Sequence, residues 1–102
     1  MKKISRLDAK GIISIIEKNK AIISKYKVNK IGLFGSYLKG KQNKISDIDF
    51  LVSFKEPTFD NYMELKFALE RLFKKKVDLI IEDTLKPALR YVKGETIYAK
   101  RV

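Results

Sequence analysis

The sequence predicts a single small α/β domain of two packed layers, on three observations. The chain has 102 residues, enough for one core and little beyond it. Short β-prone runs at 28–34, 47–54 and 77–81 alternate with segments at 5–27 and 59–75 whose apolar residues recur at helical spacing. No repeat, low-complexity tract or long linker divides the chain. Residues 1–102 are therefore read as one domain, with its core motif at 31–81.

Composition narrows the chemistry. There is no cysteine and no histidine. Disulfides, thiolate or imidazole zinc sites, a cysteine nucleophile and a Ser-His-Asp triad are all excluded. Metal chemistry must use oxygen ligands, which favour magnesium, calcium or manganese. The lack of cysteine fits a reducing, cytoplasmic setting. No apolar run approaches the roughly 18–20 residues of a membrane span, and the basic N-terminus lacks the apolar stretch of a signal peptide. With 23 basic and 12 acidic residues the net charge is +11. That suits an anionic partner such as a nucleotide, a nucleic acid or an acidic protein surface, and equally a solvated lysine-rich surface.

The elements follow in order. Residues 5–27 read as an amphipathic helix opened by a Ser5–Asp8 capping box, with Ile12, Ile15, Ile16, Ile22, Ile23 and Tyr26 as its apolar stripe. Val28 to Phe34 is a strand in which Gly32 suggests close approach of backbone or a packed helix. Residues 36–40 form one or two helical turns, and Gly40 to Ser46 is a polar loop. In the strand 47–54 the period of two puts Ile48, Phe50, Val52 and Phe54 on the core face and Asp47, Asp49, Leu51 and Ser53 on the other. Pro57 stops it, and Thr58 or Asp60 caps a helix at 59–75 carrying Phe59, Tyr62, Leu65, Leu69, Leu72 and Phe73. Lys74, Lys75 and Lys76 fall at the negative end of that helix. Val77 to Ile81 is a third strand. Thr84 caps a last helix with Leu85, Leu89 and Val92 that stops at Gly94, and 96–102 adds an edge strand.

Three carboxylates carry the chemistry. Asp47 and Asp49 project from one face of a strand, about 6–7 Å apart along the backbone. Unscreened by a cation, they repel by roughly 2–3 kcal/mol at an effective dielectric of about 20. They can close on one or two divalent cations, or lie on an edge strand with a polar face in water. Asp78, alone in an apolar strand, can be brought beside them by strand pairing. It then either bridges to metal or takes the proton of an attacking hydroxyl, since no histidine is present to do so. Gly35-Ser36 supplies the complementary half, because glycine lets backbone approach a ligand and Ser36 opens a helical turn whose free N–H groups attract phosphate. Gly35 to Lys41 is close to a P-loop, but Gln42 stands where Ser or Thr is needed and no long helix fits before the next strand.

Taken together, Gly35-Ser36, Gly40, Asp47-Ile48-Asp49 and Asp78 resemble the nucleotidyltransferase superfamily related to DNA polymerase β, specifically its minimal (MNT) members. The likeness covers roughly residues 28–100. It implies a nucleotidyltransferase fold, a small mixed β-sheet with helices packed on one side. It further implies that Gly35 and Ser36, with Lys39, hold the triphosphate of ATP. Asp47 and Asp49 ligate two Mg²⁺ ions and Asp78 completes the triad. The implied reaction transfers AMP to a protein acceptor and releases pyrophosphate. Minimal members often act as antitoxins beside a HEPN-domain ribonuclease toxin, and some of them transfer AMP from ATP to a tyrosine of that toxin. Relatives often carry arginine where Lys39 stands, and lysine cannot make arginine's bidentate phosphate contact. The acceptor is expected to be brought by a partner or bound at the interface of a homo- or hetero-oligomer. Two alternatives remain at this level. One is a non-catalytic module that neutralises its partner by occlusion. The other, less favoured, is RNA binding or tailing, which would be salt-dependent but lacks an aromatic–basic array for stacking bases.

Overall fold

The computed structural model describes residues 8–41, 46–84 and 94–99. Its elements are α1 (Ala9–Lys18), α2 (Lys20–Ser24), β1 (Val28–Phe34), α3 (Ser36–Lys39), β2 (Ile48–Phe54), α4 (Phe59–Phe73), β3 (Val77–Ile81), a 3₁₀ turn (Glu82–Thr84) and β4 (Ile97–Tyr98). The strands form one mixed sheet in the order β3-β2-β1-β4. β1 runs antiparallel to β2 and β4, while β2 and β3 are parallel and joined through α4, the kind of crossover a parallel pair requires.

One face of the sheet makes the core. Ile31, Leu33, Ile48, Phe50, Val52, Val77 and Leu79 pack against Ile12, Ile16, Ile23, Leu65, Leu69 and Phe73 from the helices. Phe50 and Phe73 meet with ring centroids 5.9 Å apart. Each such fully buried aliphatic or aromatic side chain contributes about 1.5–3 kcal/mol. The expected alternation in β2 holds, with Ile48, Phe50, Val52 and Phe54 all buried. The described helices lie on this side, as the resemblance implies.

The first helical segment differs from expectation. It is two helices, broken at Asn19 and finished at Ser24 rather than a single run to 27. Asn19 turns its side-chain amide onto the Ile15 carbonyl at 2.8 Å, and this local bond competes with the helical ladder. The break changes the phase of the apolar stripe, so Ile23 is buried while Ile22 is exposed. The cap is Asp8, whose carboxylate accepts the Gly11 N–H at 2.8 Å. Ser5 lies outside the described residues, as does most of the last helix at 84–92. The Thr84 hydroxyl donates to the Ile81 carbonyl.

α4 starts where Thr58 caps it, its hydroxyl oxygen accepting the Asn61 N–H at 3.1 Å. It ends at Lys74, a non-glycine residue in the left-handed region with φ 55°. Phe59, assigned to the apolar face from its spacing, lies in solvent instead. It is the first residue of the helix, before the turn that meets the core. Tyr62 ties α4 to β3, donating its hydroxyl to the Leu79 carbonyl at 2.6 Å. Tyr62→Phe is expected to cost about 1 kcal/mol of stability, the usual worth of one partly buried hydrogen bond. Urea denaturation reads this directly, and an unchanged midpoint would mean the bond contributes nothing.

The other face of the sheet carries Gly32, Asp49, Leu51 and Asp78. Gly32 sits there without a side chain because a Cβ would come within 2.9 Å of Tyr98 Cδ1 and 2.5 Å of Thr96 Cγ2. The close approach suggested by that glycine is therefore to β4. The Tyr98 ring lies over Gly32 of β1, and its phenol donates to Glu82 Oε2 at 2.5 Å. Leu51, between them on this face, is fully buried. Among the described residues no helix is long and apolar enough to cross a membrane.

Candidate active site

The site forms at the end of the sheet where β1 finishes and β2 and β3 begin. Parallel pairing sets Asp49 directly opposite Asp78, and antiparallel pairing sets Phe34 opposite Asp49. Because pairing partners share a face, Asp49 and Asp78 both lie on the face away from the core. Their carboxyl groups lie close enough to act on each other through charge and side-chain hydrogen bonding. Asp47 precedes β2 in an exposed position, near enough for its charge to act on Asp49. Among the described residues no group of three or more carboxylates is drawn together tightly enough to enclose a metal ion. The arrangement is a pair, Asp49 and Asp78, with Asp47 standing beside it.

Asp49 is the most perturbed of the three. Its carboxyl is pushed up to about 6, first by burial, then by the charges of Asp78 and Asp47, and last by the hydrogen bond to Asp78. Negative charge is therefore concentrated here. An all-oxygen donor set of this kind suits Mg²⁺. The same field reaches Tyr62, whose phenol is raised by burial and then by Asp78.

Gly35 joins the two halves of the site. It adopts φ 82° and ψ −154° and caps α3. A Cβ on it would stand 2.1 Å from Asp49 Oδ2. The turn backbone thus lies against the side of the Asp49 carboxyl, in contact that only glycine allows. Ser36 then starts α3. The buried Tyr37 anchors that short helix in the core, and Gly40, at φ 72°, ends it. The Lys39 and Lys41 N–H groups close onto the Gly35 and Ser36 carbonyls at 3.1 and 2.9 Å. The loop residues 42–45 lie outside the described residues.

Lys39 is exposed and forms an ion pair with Glu95 at 3.7 Å. The sequence pointed to Lys39 but not to Glu95, because 55 residues separate them and only β4 docking on β1 brings them together. A second cluster also escaped notice. Glu82 is buried, accepts the Tyr98 hydroxyl, and lies 3.5 Å from Lys30 Nζ, which itself stands 4.8 Å from the Tyr98 ring centroid. Burial, and then Glu82, hold the Tyr98 phenol far above its usual range. This cluster ties β4 and β1 to the residue that follows β3. Its one sequence signal was a glutamate closing an apolar strand.

The chain is similar to several known proteins. The sequence profile of the family described as "Nucleotidyltransferase domain" matches residues 15–101. The chain is 46% identical over 78 residues to a Methanocaldococcus jannaschii protein provisionally named a protein adenylyltransferase, covering 72% of this chain and 78% of that protein. It is 37% identical over 81 residues to the protein adenylyltransferase MntA of Thermococcus cleftensis, covering 78% and 82%. Among solved structures, a provisionally named minimal nucleotidyltransferase superposes with a TM-score of 0.77 at 32% identity, covering 92% of this chain and 98% of that one. A toxin–antitoxin complex with AMP-PNP superposes with a TM-score of 0.65 at 25% identity, covering 81% and 71%.

Proposed function

The chain belongs to the nucleotidyltransferase domain family, and from that premise we propose that it transfers AMP from ATP to a protein acceptor, as the antitoxin of a HEPN-type ribonuclease toxin. The observation that carries this reading is the contact of the Gly35 turn with Asp49, and of Asp49 with Asp78. A phosphate-holding turn and a carboxylate pair meet at one point. The relatives named as protein adenylyltransferases and the toxin–antitoxin complex with AMP-PNP support the acceptor class and the nucleotide.

In this reading the N–H groups opening α3 at Gly35 and Ser36 hold the triphosphate, with Lys39 as a point charge. Asp47, Asp49 and Asp78 are the residues that would hold Mg²⁺. Bound there, the metal offsets the charge that builds on the phosphoryl oxygens during in-line displacement. The acceptor hydroxyl oxygen bonds to the α-phosphorus as the bond from that phosphorus to the bridging oxygen breaks, and pyrophosphate leaves. Asp78, which is exposed, takes the hydroxyl proton. Asp49 and Asp47 keep the reacting groups in register.

The deciding experiment incubates the protein, its co-purified toxin partner and α-labelled ATP with Mg²⁺. Label is expected to move onto the partner and to disappear with EDTA. Tight complex formation without label transfer would instead favour neutralisation by occlusion.

Lys39 and Glu95 give a finer check. The pair is about half exposed on both sides, so its own contribution to stability is small. Lys39→Ala is expected to raise KM for ATP about three- to tenfold with kcat little changed, the mark of a lost ground-state contact. Glu95→Gln frees Lys39 and is expected to lower KM by about twofold. Initial rates over a range of ATP concentrations measure both. A loss confined to kcat would remove Lys39 from the triphosphate site.

A further inference from the structure

α4 carries two faces. Leu65, Ala68, Leu69 and Phe73 are buried in the core. The helical period sends Phe59, Met63 and Phe67, each four residues apart, along the opposite side. Phe59 is 75% exposed and Phe67 48%, in a chain whose other outward positions on this helix are charged. Exposed aromatics aligned in one ridge mark an interaction surface rather than scattered surface residues.

The charges beside this ridge identify its occupant. Exposed Asp60 and Glu64 lie in the N-terminal half, exposed Arg71 at the start of the last turn, and exposed Lys74 at the C-cap. Glu64 and Arg71 are seven residues apart, about 10 Å along the axis, too far to pair within one helix. A second helix running antiparallel, with the same acidic and basic ends, pairs them. This helix is itself such a partner.

We infer that the chain associates with a second copy of itself through α4, antiparallel about a two-fold axis near Phe67. The axis stacks Phe67 on Phe67 of the second copy, places Met63 and Phe59 along the remaining seam, and sets Asp60 and Glu64 opposite Lys74 and Arg71 of the second copy. A two-fold interface is self-complementary, as this distribution requires. The overall charge of +11 opposes association at long range, but salt screens it beyond about 8 Å under physiological conditions, whereas facing pairs are closer than that. α4 packs on the core side of the sheet and Asp49 and Asp78 lie on the other face, so the seam does not involve them. The dimer therefore stands whether or not the proposed AMP transfer is correct. A seam of one helix pair about 22 Å long is small for a specific interface, so the dimer is reversible.

Sedimentation velocity of the full chain, from about 1 to about 300 µM in physiological salt, tests this. The expected result is a rise from the 11.8 kDa chain mass to twice that value across the range. Phe67→Glu is expected to hold the protein at the monomer mass. Arg71→Glu is expected to do the same by setting Glu64 against a new glutamate. Combined with Glu64→Arg, it is expected to restore the dimer, with circular dichroism confirming the fold of each variant. A wild-type protein that stays monomeric overturns the inference. So does a dimer indifferent to Phe67→Glu, or a charge-reversed double variant that stays monomeric.

Discussion

Asp49→Asn is expected to lower AMP transfer by about a thousandfold or more, equivalent to about 4 kcal/mol of barrier, while making the metal-free protein more stable at neutral pH. The two effects share a cause. Asp49 is half-buried beside two other carboxylates, and its carboxyl is raised to about 6 from an ordinary 3.8. Between those values the folded protein keeps a proton that the unfolded chain has lost. Stability therefore falls as pH rises through that window and stays lower above it. Asparagine removes the charge, and its amide can still donate to Asp78. The gain should appear above about pH 6 and vanish below about pH 4. Thermal melts in EDTA at both pH values measure it, with a shift of several °C expected for a domain of this size. Mg²⁺ should raise the wild-type melting temperature at neutral pH and leave Asp49→Asn unmoved. Asp47→Asn serves as the contrast, since Asp47 is exposed; transfer should fall without the gain in stability. A destabilised Asp49→Asn at neutral pH without metal would mean that this carboxylate is not the strained member of the cluster.

The parts legible in the sequence were those set by local period. Alternation in 47–54 announced which face of β2 is core, and an aspartate in the middle of Val77 to Ile81 announced an acid on the face opposite it. Parallel register then brought Asp78 against Asp49, which spacing allowed but could not fix. What escaped the sequence depends on contacts between distant segments. Asn19 broke the first helix through a side-chain bond that competes with the ladder, and the break moved Ile22 into solvent. Helical spacing placed Phe59 with the core residues, although a residue opening a helix need not reach the layer below. Glu95 and Tyr98 acquired their partners only when β4 docked on β1, a pairing of two residues that leaves little pattern in the chain. Of the three acids read from the sequence, parallel register sets Asp49 opposite Asp78, and Asp47 lies near enough for its charge to act on Asp49.

Gly35→Ala should be the most damaging single-methyl change in the chain. At φ 82° and ψ −154° the backbone occupies a region essentially restricted to glycine, and holding alanine there costs on the order of 1–3 kcal/mol. The methyl adds a second penalty, because it would stand 2.1 Å from Asp49 Oδ2 and 2.9 Å from its Cγ. Either the turn flips, moving the N–H groups that open α3, or Asp49 is pushed away from Asp78. Transfer is lost by both routes, with an expected fall of about a hundredfold or more and a melting temperature lower by about 5–15 °C. Gly40→Ala separates strain from collision. Gly40 also has positive φ, 72°, but no atom within 4 Å of an added Cβ, so that variant should lose about 1 kcal/mol and keep its activity. Adding Asp49→Ala to Gly35→Ala removes the nearest colliding atoms. The pair should then be more stable than the sum of the single changes predicts, a coupling that double-mutant thermodynamics measures. Strict additivity would show that the turn and the carboxylate do not touch in solution. The coupled result would tie phosphate binding and metal binding to one contact, so that neither half of the site could drift without the other.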